Sequence, residues 1–259
     1  MSEALHAEWT KLRTLPATWW LLLGVVAATV IIGATVSASV SCTPAAACHA
    51  DVTKLSLTGT YLGQAAIAIV AVLAVSGEYA TGMIATTLAA MPRRTTVLAA
   101  KAGVVTAVTL AAGLPAVLGS VLAGQDQPPG HGYASANGYP ALSLASGTVL
   151  RAAAGTVLYL ALIALLSLGV APAESRIAEA IGAVLGLLYL FPILAQVAGN
   201  PGVARHLQQI GPMTAGLQIQ ASTGLRSLPI GPWAGLGVAA AWAAAALAAG
   251  ALALCRRDA

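Results

Sequence analysis

Residues 233–255 read WAGLGVAAAWAAAALAAGALALC, and this stretch decides the fold class. It is apolar on every side of a helix, whereas a strand of a membrane β-barrel alternates apolar and polar residues over about ten positions. A hydrocarbon core about 30 Å thick is crossed by roughly 20 apolar helical residues. The stretch therefore predicts a transmembrane helix.

Five further apolar runs precede this one. The six predicted spans cover residues 17–40, 57–76, 96–122, 148–171, 178–198 and 230–254. The chain of 259 residues is 58% hydrophobic and 8% charged, whereas an average soluble domain has roughly 25% charged residues. We expect an all-α membrane protein that forms a single domain over 1–259, with a six-span bundle over 17–254 and a cytoplasmic tail over 255–259.

The Lys and Arg residues predict the orientation. They are dispersed at the ends of the apolar runs and form no basic face that phosphates could follow, so we expect no nucleic-acid partner. A cytoplasmic N-terminus places Lys11, Arg13, Arg93, Arg94, Lys101, Arg176, Arg256 and Arg257 inside, and Lys54, Arg151, Arg205 and Arg226 outside. The excess inside follows the positive-inside rule, with both termini in the cytoplasm.

The segment before the first span has amphipathic character. Leu5, Trp9 and Leu12 recur at helical spacing and share one face. The charged residues that this pattern turns elsewhere are Glu8, Lys11 and Arg13. It predicts a helix in the membrane interface over residues 1–16, with a solvated cytoplasmic tail as the alternative. A cleaved signal peptide is a further alternative, but the apolar run is longer than the 7 to 15 residues of an ordinary signal-peptide core.

Two cysteines lie in the first predicted external loop. Cys42 and Cys48 face an oxidising compartment there, which predicts a disulfide between them, whereas Cys255 lies at the cytoplasmic end of the last span. Two free thiols are the alternative. A metal site that also uses His49 and Asp51 is less consistent with the usual ligand spacing.

A short external helix is predicted before the last span. In NPGVARHLQQIGP, residues 200–212, Asn200 suits the helix cap, Pro201 the first turn, and Gly211 with Pro212 the end. The segment is amphipathic and too short to span a membrane, so we expect a lid at the outer surface. Within the spans, GAVLG at 182–186 has the small-xxx-small spacing that permits close helix contact.

Several kinds of chemistry have no motif in this sequence. The zincin HExxH, the G-x-S-x-G elbow and the phosphate loop are missing, and the centres of the six predicted spans carry no ionisable residue. The polar residues inside the spans either line a path or bond to neighbouring helices. They are Gln64, Thr106, Thr109, Ser120, Thr156, Ser167 and Gln196. We expect no enzyme and no cofactor in this chain.

The longest predicted cytoplasmic connection, residues 77–95, has an apolar stripe. Its members at helical spacing are Ala80, Met83, Ile84, Thr87, Leu88 and Met91, and Pro92 limits the helix before Arg93 and Arg94. The pattern predicts an amphipathic helix over residues 79–91 that docks onto a partner. A basic interfacial loop that only obeys the positive-inside rule is the alternative.

At these residues the chain resembles a known family. GEYATGMIATTLAAMPRRTTVLAAK, residues 77–101, looks like the loop after the second span of ABC type-2 transporter permeases, especially actinobacterial ones. EWTKLRTLPATWW, residues 8–20, is similar to the opening of the same group. The two motifs cover about a sixth of the chain, and the six spans with an external helix before the last one match the family's whole layout.

This resemblance implies a bacterial plasma-membrane exporter subunit. In the family, the first cytoplasmic loop is a coupling helix that sits in a cleft of an ATP-binding subunit. Carried over, Glu78 and Tyr79 would start the contact, and the apolar face and basic anchors would be Met83, Ile84, Leu88, Arg93 and Arg94. The implied partners are two ATP-binding subunits, which hold ATP and Mg, a second copy of this or a similar permease, and membrane lipids. The weakly polar spans suit amphipathic or hydrophobic cargo such as an antibiotic, peptide or lipid. The alternative function is a non-transporting scaffold or sensor that anchors a soluble partner through the same loop.

Overall fold

The computed structural model describes residues 6–10, 16–39, 51–80, 94–125, 142–174 and 176–256. All regular structure in these ranges is helical, and no strand occurs within them. The helices are α1 (6–10), α2 (Pro16–Ser39), α3 (Val52–Ser56), α4 (Thr60–Ala80), α5 (Arg94–Gln125), α6 (Gly147–Val170), α7 (Ile177–Val197), α8 (Pro201–Ile210), α9 (Pro212–Gly216) and α10 (Pro232–Arg256).

Six of these helices are long and apolar enough to cross a membrane, which confirms the predicted number of spans. They are α2, α4, α5, α6, α7 and α10. The second span begins three residues later than predicted, at Thr60, because residues 52–56 form the separate short helix α3. The third span extends beyond its apolar run at both ends, because helical hydrogen bonding does not stop where hydrophobicity stops.

The fourth span, α6, is the centre of the bundle. It packs against α10, α4 and α5, and 72% of its most apolar window is buried inside the chain. The first, fifth and last spans are peripheral, with 17–22% of their windows buried. Their outward faces carry large apolar side chains, as expected for surfaces that meet lipid or another membrane chain.

A close contact between the backbones of two spanning helices occurs at Gly169, outside the small-xxx-small motif. A Cβ atom on Gly169 of α6 would overlap the backbone of Ala246 and lie 2.5 Å from the backbone nitrogen of Leu247 in α10. By contrast, a Cβ on Gly182 or Gly186 would meet nothing within 4 Å. The motif at 182–186 therefore makes no close contact within the described residues, because α7 turns that face outward.

The predicted external helix is confirmed as a helix with the expected ends. The Asn200 side chain accepts a hydrogen bond from the backbone N–H of Gly202 at 2.8 Å, and α8 spans Pro201–Ile210. Its far end is held by Trp242 of the last span, whose Nε1 donates to the carbonyl of Ile210 at 2.8 Å. At ten residues, α8 is too short to cross a bilayer.

The chain after α8 enters the bundle, which the sequence analysis did not foresee. Helix α9 and the 3₁₀ turn Leu217–Gln220 are mostly buried against α6, α7 and α10. The glycine Gly216 allows this entry, because a Cβ there would lie 2.5 Å from the ring of Tyr159. Short buried helical pieces of this kind are tolerated at membrane depth when protein surrounds them.

The expected connection at residues 77–95 is shorter than predicted. Helix α4 continues to Ala80 and α5 already begins at Arg94, so residues 81–93 join the two helices. Glu78 and Tyr79 therefore belong to the last turn of α4, and Arg94 is the first residue of α5. Their side chains lie outside the description, as do Met83, Ile84, Leu88 and Arg93. The docking helix at 79–91 stays a prediction beyond Ala80, and the disulfide of Cys42 with Cys48 also lies outside the described residues.

Candidate functional site

A buried ion pair joins three helices at the end of the bundle where residues 81–93 connect α4 to α5. The ammonium of Lys101 lies 2.7 Å from Oε2 of Glu8, and the two side chains are 3% and 5% exposed. Lys101 also donates a hydrogen bond to the carbonyl of Ala74 in α4 at 3.0 Å. One lysine thus ties α1 to both helices that carry the connection.

This arrangement corrects the prediction for the N-terminal segment. The amphipathic pattern turned Glu8 away from the apolar face, but Glu8 is buried and Trp9 is 42% exposed. Glu8 can be buried because the ammonium of Lys101 lies against its carboxylate, and a buried carboxylate needs a cation in good geometry. The helical periodicity of residues 1–16 does not show that Lys101 lies there. Trp9 instead lines an apolar groove of about 310 Å³ together with Trp19 and Pro115.

The ion pair lies close to the ends of both connected helices. Ala74 precedes the end of α4 by six residues, and Lys101 follows the start of α5 by seven. At 1.5 Å per residue, these positions are about 9 Å and 10 Å from the helix ends. The junction therefore lies about 10 Å from the described residues that flank 81–93.

A polar network around the buried side chains of Gln64 and Tyr159 joins four elements at the opposite end of the bundle. The hydroxyl of Tyr159 in α6 donates to Oε1 of Gln64 in α4. Nε2 of Gln64 donates to the sulfur of Met213 in α9 at 3.1 Å and to the hydroxyl of Tyr189 in α7 at 3.4 Å. The Tyr189 hydroxyl in turn donates to the carbonyl of Tyr61. Gln64 thus has partners at both ends of its amide, and the network fixes α9 against three spans.

The network decides between the two predicted roles for Gln64. This glutamine bonds to neighbouring helices and is fully buried, so it lines no open path in this structure. Three of the hydroxyl residues act locally: Ser120, Thr156 and Ser167 each donate to the carbonyl four residues earlier in the same helix. The sequence analysis did not predict the hydrogen bonds of Tyr159 and Tyr189, because the ring of an aromatic residue in an apolar run usually contributes to hydrophobic packing.

At the same end of the bundle, Asp51 connects α3 to residues 222 and 223. Its carboxylate caps α3 by accepting from the backbone N–H of Lys54 at 3.2 Å, and it also accepts from the Ser222 hydroxyl at 2.6 Å and the Thr223 N–H at 2.9 Å. The first loop is thereby attached to the segment before the last span. Asp51 belongs to no group of three potential metal ligands within the described ranges.

Comparison with known proteins assigns neither of these sites. No family model matches the chain, and no curated protein matches it. The six apolar helices indicate a multi-pass membrane protein, and the function has to be argued from the sites themselves.

Proposed function

We propose that this chain is the membrane-spanning permease subunit of an ATP-driven exporter of the ABC type-2 kind, in the plasma membrane of a bacterium. Two ATP-binding subunits would engage residues 78–94, and a second copy of this or a similar permease would complete the transporter. The proposal rests on the sequence resemblance at 77–101 and on six spans, with which it is compatible.

The observation that carries the proposal is the buried contact of Lys101 with Glu8 and with the carbonyl of Ala74. A partner that moves residues 81–93 can do work on the spans only if their ends respond together. The ion pair couples α1, α4 and α5 at that place, and its separation costs energy because a charge would be left buried.

Substitutions within residues 79–91 should affect assembly with the ATP-binding subunits more than substitutions elsewhere. The double substitution Ile84→Ala and Leu88→Ala should remove contacts worth roughly 2 to 5 kcal/mol in a well-packed docking site. The variant should insert into the membrane normally but fail to recover an ATP-binding subunit, or recover one whose ATP hydrolysis no longer responds to cargo. The measurements are copurification with the tagged chain and ATP hydrolysis by the recovered complex.

A matched control uses the same substitution at the same spacing elsewhere. Leu114 and Leu118 lie four residues apart on the exposed face of α5, and alanine at both should leave assembly unchanged. Wild-type recovery and coupling in the Ile84/Leu88 variant would contradict the docking role. Recovery of a partner that lacks ATPase activity would instead favour the scaffold or sensor function.

The chain alone should neither bind nor hydrolyse ATP, because its sequence has no phosphate loop. Equilibrium binding of a labelled nucleotide to the purified chain tests this expectation. Saturable binding at micromolar nucleotide would contradict it.

A further inference from the structure

A cavity of about 320 Å³ lies at the α8 end of the bundle, next to the polar network of Gln64. Its polar lining comes from five elements: it consists of Lys54 of α3, Tyr61 of α4, Gln208 of α8, Thr214 of α9 and Gln218 of the 3₁₀ turn Leu217–Gln220. Pro192 of α7 and Leu228 contribute to its apolar lining. The wall that contains Leu228 is anchored, because Nε2 of Gln209 donates to the carbonyl of Pro229 at 2.7 Å.

The lining of this cavity contains a lysine that forms no ion pair with a described residue. Lys54 is the one charged side chain in its lining, and no described carboxylate lies within 4.0 Å of the Lys54 ammonium. Asp51, three residues earlier, already accepts hydrogen bonds from Ser222 and Thr223. Of the two undescribed segments next to α3 and the end of α5, residues 40–50 contain no Asp or Glu, and residues 126–141 contain one acid, Asp126. A cation in a cavity whose described lining has no carboxylate favours an anionic ligand.

Two further polar groups of the lining suit the same ligand, whereas Oε1 of Gln218 is a buried acceptor without a partner among the described residues. The Tyr61 hydroxyl and the Gln208 carboxamide make no hydrogen bond to another described residue, and both can donate. Donors from three elements therefore surround a cavity that can hold one small head group. Charge-assisted hydrogen bonds to an anion are roughly twice as strong as those between neutral groups.

Two residues that line the cavity are each followed in the sequence by an exposed apolar side chain. Leu62 follows Tyr61 in α4 and Ile193 follows Pro192 in α7, and these two side chains are 57% and 55% exposed. A hydrocarbon chain attached to a head group in the cavity can lie on this surface. A free inorganic anion would leave the apolar part of the site without a function.

We infer that this cavity binds the head group of an anionic amphipath, with Lys54 as its counter-ion and with Tyr61 and Gln208 as hydrogen-bond donors. The hydrocarbon chain lies along the exposed faces of α4 and α7. The inference does not depend on an ATP-binding partner, because binding is a property of the chain alone.

The experiment uses a photoreactive alkyl phosphate with the purified full-length chain in nanodiscs of zwitterionic lipid. After irradiation, mass spectrometry of the digested protein should locate the label on peptides from α4 and α7 near Tyr61 and Pro192. A chain-matched photoreactive alcohol and a chain-matched amine should label these peptides several-fold less. Lys54→Gln should weaken labelling by the phosphate about tenfold, as expected for the loss of a charged hydrogen bond, and Lys54→Arg should retain most of it.

The control variant is Arg226→Gln, which removes an exposed cation outside the cavity lining and should label like the wild type. Equal labelling of the Lys54→Gln and wild-type chains would overturn the inference, as would equal labelling by the phosphate and the alcohol. Competition separates the two sources of anion. Inorganic phosphate that protects the site as well as an unlabelled alkyl phosphate would show that the hydrocarbon chain is irrelevant, and the amphipath would be the wrong ligand.

Discussion

Replacement of Lys101 by Met is the most informative perturbation of the ion-pair junction. The substitution removes the ammonium that lies 2.7 Å from the carboxylate of Glu8, whose side chain is 5% exposed. Loss of one partner from a buried pair costs about 3 to 5 kcal/mol when the other charge stays buried. The chain can avoid part of this cost by releasing α1 from α4 and α5, since Glu8 then returns to water. We therefore expect local release of α1 while the bundle itself stays folded.

Hydrogen exchange measures this release. For about 3 kcal/mol, the population with α1 released should rise by roughly two orders of magnitude. Mass spectrometry of the peptide that contains residues 6–10 should show correspondingly faster exchange in Lys101→Met, and peptides from the buried helix α6 should exchange as in the wild type. The double variant Glu8→Leu with Lys101→Met should recover protection, because neither charge is then buried.

Two comparisons make the result decisive. Arg176 and Glu179 form an exposed pair at 3.5 Å with side chains 81% and 48% exposed, so Glu179→Gln should change stability by no more than about 0.5 kcal/mol. If Lys101→Met behaves like Glu179→Gln, the ion pair does not hold α1 to the bundle. If the double variant is no better protected than Lys101→Met, Glu8 and Lys101 are not energetically coupled.

Two further predictions concern the packing of the spans. Gly169→Ala should lower the free energy of unfolding of the purified chain by about 1 to 3 kcal/mol, because its Cβ would overlap the backbone of α10. Gly182→Ala should be neutral or slightly stabilising, because a Cβ there meets nothing within 4 Å. Thermal unfolding in detergent measures both variants, and equal effects would contradict the close contact at Gly169. Gln64→Leu leaves the buried hydroxyl of Tyr159 without its acceptor and should cost about 1 to 3 kcal/mol, most of which Tyr159→Phe should restore in the double variant. A double variant as unstable as Gln64→Leu would show that the hydrogen bond is not the cause.

The sequence by itself determined the class of the protein and the number of its spans. Each apolar run is long enough to cross a bilayer, and a backbone in hydrocarbon must satisfy its own hydrogen bonds, so length and composition suffice to predict helices. The ends of helix α8 were predictable for a related reason. Asn200, Pro201 and Gly211 act on the backbone of their sequence neighbours, so a short stretch of sequence is enough to predict their effect.

Only the tertiary structure decided which residues meet. Glu8 and Lys101 are 93 positions apart, and Tyr159 is 95 positions from Gln64, so no periodicity within one helix contains their pairing. For the same reason, the small-residue motif at 182–186 makes no close contact with a described helix, whereas Gly169 lies against α10. A glycine permits close approach of two helices, but the position of the neighbouring helix determines whether the approach occurs. Burial of Glu8 likewise depends on a cation supplied by another helix. The hydrophobicity of a segment follows from its composition and can be read directly from the sequence. Hydrogen bonds and ion pairs between helices depend instead on the relative positions of segments that are distant in the sequence.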